Sequence, residues 1–138
     1  MKKRAQVGVE YLLVVGFISF AIISILALSY FYSGQITDRI RLNQIEGFTS
    51  QLIGFCESVF FAGEPSMKTV RLYLPDGVKS IEINSNNIVI TTAVSGGQNK
   101  RVYESKVPLQ GNITLTEGIK KLSLEAKQNY VLINQSQG

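Results

Sequence analysis

The chain has 138 residues and a mass of 15.3 kDa, the size of one compact module, which leaves no room for a two-domain enzyme. Fourteen Lys and Arg oppose ten Asp and Glu, but Lys2, Lys3 and Arg4 stand at the start, and beyond them eleven cations face ten anions, so bulk charge makes no case for nucleic acid as a partner. There is no His, no Trp and one Cys, which removes His-centred triads, Cys/His zinc sites and intrachain disulfides; the expectation is a protein that is not an enzyme and carries no cofactor or metal.

Residues 12 to 32 read LLVVGFISFAIISILALSYFY without a charged side chain. Twenty-one helical residues at about 1.5 Å each give about 31 Å, the hydrocarbon thickness of a bilayer. Lys2, Lys3 and Arg4 precede this span, while Asp38 and Glu46 mix with Arg39 and Arg41 beyond it. The positive-inside rule therefore puts the N-terminus in the cytoplasm and the chain after about residue 33 outside. The apolar run is long for a secretory h-region of about 7 to 15 residues, and no small-x-small cleavage site comes after it before Asp38, so the span is expected to stay.

Glu10 stands directly against the apolar run, where a carboxylate costs about 2.5 to 3.5 kcal/mol on insertion scales and normally has a partner. The stretch Lys3-Arg4-Ala5-Gln6-Val7-Gly8-Val9-Glu10-Tyr11 resembles the class III signal peptide of archaeal type IV pilins, in which basic residues and a small residue precede Gln-x-(small)-x-Glu-Tyr and an apolar helix. Gln6, Glu10 and Tyr11 match that pattern, and Gly8 stands where Ser or another small residue is common. The motif covers about a dozen residues, or about thirty with the helix. Archaellin precursors share the leader logic but usually lack the Gln-x-x-x-Glu-Tyr arrangement. The resemblance implies a leader of residues 1–5, cut by a prepilin peptidase between Ala5 and Gln6, and a structural subunit that polymerises with itself. It also implies an assembly ATPase and a platform membrane protein as partners.

Cutting there creates an amine on Gln6, and pairing it with Glu10 offsets part of two desolvation penalties. The pair is permitted within one helix, at i and i+4, or between neighbouring subunits, as the resemblance implies. Alternatively Glu10 reaches the lipid headgroups. Gly16, Ser19, Ala27 and Gly34 fall within an arc of about 80° at about 100° per residue, a small-residue stripe through which membrane helices or filament-core helices approach.

Ile36, Ile40, Phe48, Leu52, Phe55 and Val59 continue at spacings of three, four or a multiple, which predicts one helix over 6–62, closed by Gly63, Pro65 and Ser66. Gly34, Gly47 and Gly54 lie inside it and predict a bend or a melted turn near one of them. The apolar face from Leu52 to Phe61 is expected to dock on the domain C-terminal to it, and Cys56 falls on that face as a core residue.

Residues 68–138 read as a β domain. Val70, Leu72 and Leu74 alternate with polar residues and end at Pro75-Asp76-Gly77, which predicts a hairpin. Further strands are predicted at Val78 to Asn84, Ile88 to Val94, Arg101 to Val107, Ile113 to Thr116, Lys120 to Ala126 and Tyr130 to Ile133. The fold class is therefore α+β: a long N-terminal helix and then a small antiparallel β-sandwich, immunoglobulin-like in shape and pilin-like in layout. The turns at Ser85-Asn86-Asn87, Ser95 to Asn99 and Lys127-Gln128-Asn129 are the expected places for adhesion. Asn112-Ile113-Thr114 and Asn134-Gln135-Ser136 are sequons, making Asn112 and Asn134 candidate glycosylation sites on the outward side.

The function expected is thus a pilin of an extracellular filament, membrane-parked as a precursor and used for adhesion or surface attachment. The alternatives are a membrane-anchored binding module that never polymerises and keeps its leader, and a minor pilin or archaellin-like subunit.

Overall fold

A computed structural model describes residues 2–136, with side chains from Gln6 onward. One helix, α1 (Lys2–Ala62), precedes β1 (Met67–Leu74), β2 (Val78–Asn84), β3 (Asn87–Val94), β4 (Gly97–Glu104), β5 (Leu109–Gly111), β6 (Gly118–Ala126) and β7 (Val131–Gln135). The α+β layout is as expected. The chain divides into two compact units, Met1–Thr37 and Asp38–Gly138.

In the first unit α1 leaves its large apolar side chains exposed, from Val7 to Ile36. The helix is long and apolar enough to cross a membrane. Of the bend or melted turn expected near Gly34, Gly47 or Gly54, the melted turn is not formed: α1 is helical without a break through all three.

In the second unit α1 carries a single buried stripe of Ile45, Phe48, Thr49, Leu52, Ile53, Cys56 and Val59. At about 100° per residue these positions span about 140° of the helix surface, the width of a face docked on a core. Ile36 and Ile40, which continue the helical spacing, lie off this face and are exposed. The eight residues from Ile40 to Phe48 turn the helix by about 80° beyond two full turns, so the earlier pair lies toward the opposite side. Phe61 is exposed for the same reason, while Phe55 packs at the margin of the core. Gly63, at φ +83°, ends the helix with its amide donating to the Phe60 carbonyl, as the left-handed position after a helix requires.

The strands form two sheets, ordered β1-β6-β7-β5 and β2-β3-β4. Inward residues of both sheets, Val70, Leu72, Leu74, Leu122, Leu124, Val131 and Ile133 from one and Ile88 and Ile90 from the other, share one core with the helix stripe. This departs from an immunoglobulin sandwich in strand order and in placing a helix in the core. Pro75-Asp76-Gly77 does not close a hairpin, because β1 and β2 belong to different sheets; it carries the chain from one to the other. The hairpins are β2–β3, β3–β4 and β6–β7.

Not every pair is antiparallel. β5 runs parallel to β7, with Leu109 opposite Val131 and Gly111 opposite Ile133. The expected strand at Ile113 to Thr116 is instead irregular: Ile113 is buried as an anchor, and the Thr114 amide donates to the Gln135 side chain rather than to a strand. The strand expected over Arg101 to Val107 begins at Gly97 and stops at Glu104. Gly111 sits so close to β7 that a Cβ there would lie 2.1 Å from the Ile133 carbonyl oxygen, and its φ of +142° suits only glycine.

Candidate functional site

The residues singled out by the sequence fall in the first unit. Gln6, Glu10 and Tyr11 are all exposed on α1, and Gly16, Ser19, Ala27 and Gly34 are exposed further along. A Cβ added at Gly8 or Gly16 would meet nothing within 4 Å, so the space beside these glycines is open in the single chain. No described hydrogen bond joins the Gln6 and Glu10 side chains, and in the uncut chain the Gln6 nitrogen is an amide, not an amine. The side chains of Lys2, Lys3, Arg4 and Ala5 lie outside the described residues.

A polar cluster that sequence reasoning missed ties α1 to the β domain within the second unit. Arg41 donates from Nε and Nη2 to the two carboxylate oxygens of Asp76, at 3.0 and 2.9 Å, and stands 3.5 Å from Asp38. Asp38 in turn accepts the backbone amide of Ser95 at 2.9 Å. The bidentate fork fixes orientation as well as distance, because both guanidinium N–H vectors must be satisfied together. Gly77 makes this approach possible: it has φ +78°, and a Cβ there would lie 3.0 Å from Arg41 Cδ and Nε. The hydroxyl and amide of Ser95, with the Arg41 charge, hold the Asp38 carboxyl below its ordinary value. Hydrogen bonding to Asp76 raises the Arg41 guanidinium further. Two lesser ties lie further along the helix: Arg101 donates to Glu46 at 3.2 Å, and the Lys106 amide donates to Glu57 at 3.2 Å. The signal for the cluster was present in the charges Asp38 and Arg41, spaced i, i+3 on the helix just beyond the span.

Lys120 was also missed. It is buried on β6, in the inward parity of Leu122 and Leu124, and its ammonium donates to the hydroxyls of Thr114 and Thr116. Thr114 donates onward to Gln135, so the segment after β5 is wrapped around a buried cation. The two sequons meet in this place. Asn112 comes after Gly111 on β5 and Asn134 after Ile133 on β7, the opposed pair of the parallel ladder, and both asparagines are exposed.

A surface groove of about 510 Å³ runs between α1 and β4, lined by Ser50, Ile53, Gly54, Glu57, Val102, Tyr103 and Glu104. The Tyr103 hydroxyl is buried there without a hydrogen-bond partner among the described residues. Glu104 and Glu82 are both exposed on their strands. Cys56 is fully buried, and desolvation, with Glu57 nearby, pushes its thiol up to about 12, which makes it an inert core residue. Among the described residues no group of three or more Cys, Asp or Glu could hold a metal ion. What the arrangement offers chemically is a helix with an unfilled apolar surface, carried by a domain whose own core is complete. Comparison with protein-family models, curated proteins and solved structures gives no match for this chain.

Proposed function

We propose that this chain is the membrane-parked precursor of a structural subunit of an extracellular archaeal type IV pilus-like filament. A prepilin peptidase cuts it between Ala5 and Gln6, and an assembly ATPase and a platform membrane protein extract it into a homopolymer that serves adhesion or surface attachment. The observation that carries this reading is the division of α1 into an exposed, all-round apolar stretch up to Ile36 and a docked stretch from Ile45 to Val59. A helix apolar on every side needs lipid or other helices around it, and a polymer supplies the second after the membrane supplies the first. The motif Gln6-Val7-Gly8-Val9-Glu10-Tyr11 behind a basic leader supports the same reading. Gln6 and Glu10 register assembly, Tyr11 flanks them, and Gly16, Ser19, Ala27 and Gly34 let neighbouring helices approach.

Two substitutions separate processing from assembly. Ala5→Leu or Gln6→Asp is expected to leave a heavier precursor in the membrane, and normal-sized mature protein would refute the assigned cut. Glu10→Ala is expected to give processed protein with few filaments, whereas undiminished filaments would reduce Glu10 to a headgroup contact.

A further inference from the structure

The outer faces of the two sheets differ in charge. On the four-stranded sheet, β1 and β6 bring Arg71 directly opposite Lys121 and Tyr73 directly opposite Ile119. These four side chains are exposed, Tyr73 by 52% and Ile119 by 74%. Directly opposed residues in a sheet have Cβ atoms about 5 Å apart, and like charges so placed destabilise it. On its other flank Lys121 neighbours Ser136, whose amide donates to the Lys121 carbonyl. The carboxylate of Glu125 on β6 already binds the Lys127 ammonium, and Glu117 is exposed just before β6. Neither Arg71 nor Lys121 is in an ion pair among the described residues, so the face keeps two uncompensated cations beside two exposed apolar groups.

The three-stranded sheet carries the converse. Glu82 on β2 and Val102 on β4 both stand opposite Val89 of β3, and Glu104 stands opposite Asn87 at the end of β4. Val89 is buried but lies outside the core cluster, so it forms the floor of an outer patch, with Val102 exposed by 57% beside it. Glu82 and Glu104 are exposed and in no ion pair among the described residues. Lys100, two residues before Val102 on the same face, offsets one of these two charges, and Lys79 is exposed on β2 at the bulge before Ser80.

We propose that these two faces bind each other between copies of the chain, Arg71 and Lys121 of one copy meeting Glu82 and Glu104 of the next. Tyr73 and Ile119 close on Val102 at the centre. The proposal rests on the filament reading and names its subunit contact outside the helices. Because the two patches are different, the contact is heterologous: each copy offers one of each, and repetition extends as a helical polymer or closes as a ring. Opposite fields steer the approach and penalise wrong registers, while the apolar contact adds area that excludes water. A second copy is favoured as the occupant because the complement of the basic face, in charge and apolar content, is already present on the same chain.

The test uses the full chain in its own cells, with filaments counted per cell and processed, protease-resistant protein in the membrane as the folding control. Arg71→Glu with Lys121→Glu, and separately Glu82→Lys with Glu104→Lys, are each expected to cut filaments about tenfold or more, as like-charge contacts at an interface do. Expressed together, the two variants are expected to restore filaments, because one then has two acidic faces and the other two basic ones. Wild-type filament numbers from either variant alone, or no restoration on co-expression, would overturn the contact. Loss from the basic-face variant alone would do the same and would point to an anionic polymer or lipid as the occupant. Ile119→Cys with Val102→Cys gives an independent reading: the double variant is expected to form a disulfide ladder under mild oxidation, the single variants to stay monomeric, and buried Cys56 to stay silent. Dimers from Ile119→Cys alone would contradict a heterologous contact. If the wild-type chain makes no filaments at all, the filament reading itself falls.

Discussion

Up to Ile36, α1 carries apolar side chains around its whole circumference and leaves the large ones exposed; from Ile45 to Val59 the same helix confines them to one face and buries them in the core of the β domain. The two stretches share a backbone geometry and differ only in how apolar residues are spaced around it. A stripe about 140° wide can be satisfied by the chain's own sheets, whereas a cylinder apolar on all sides cannot. The second stretch therefore contributes to folding, and the first is left for an environment the chain does not supply.

Core substitutions give the sharpest contrast. Leu52 is fully buried and Leu26 is 64% exposed. Leu52→Ala is expected to destabilise the β domain by about 3 to 4 kcal/mol in urea unfolding of the detergent-solubilised chain. Leu26→Ala is expected to change it by less than about 0.5 kcal/mol. Equal effects would mean that the two stretches are not energetically distinct. Gly111→Ala is next in size, at about 2 to 3 kcal/mol, because the new Cβ meets the Ile133 carbonyl and neither backbone can yield without breaking the parallel pair.

Smaller effects probe the join between α1 and the domain. The Arg41 side chain is only 19% exposed and holds Asp76 with two hydrogen bonds, while the Arg101–Glu46 pair is about half exposed. After allowance for solvent screening, Arg41→Ala is expected to cost about 1 kcal/mol, and Arg101→Ala less than about 0.5 kcal/mol. The smallest is a pH effect. Because Ser95 and Arg41 lower the Asp38 carboxyl in the folded state, its stabilisation is complete above the ordinary value of 3.8 and is lost as the pH falls through the lowered folded value. Asp38→Asn should therefore narrow the difference between urea midpoints at pH 7 and pH 3, and an unchanged difference would remove Asp38 from the account.

Much of this was legible in the residues. The uninterrupted run from Leu12 to Tyr32, the helix end at Gly63 and the alternation in Val70-Arg71-Leu72-Tyr73-Leu74 each depend on local spacing, which sequence reports directly. What failed depended on partners distant in the chain. The sequence Leu109-Gln110-Gly111 has too few apolar residues to announce a strand, and it becomes one only because β7 lies alongside. Ile113 to Thr116 has the β-branched texture of a strand, yet its polar groups are taken by Gln135 and Lys120. Lys120 itself was readable, since it holds the inward parity of β6, but a cation in that parity reads as outward until its hydroxyl partners are known. The site proposed on Gln6 and Glu10 rests on sequence, because the amine proposed for it exists only after the cut and the proposed partner would be another copy of the chain.

The most direct test of the central claim is the intact mass and N-terminal sequence of the protein recovered from its native cell surface. The account predicts a chain that begins at Gln6, recovered in filaments. A chain that keeps Lys2 to Ala5 and stays in the membrane would contradict it and describe a signal-anchored module that never polymerises.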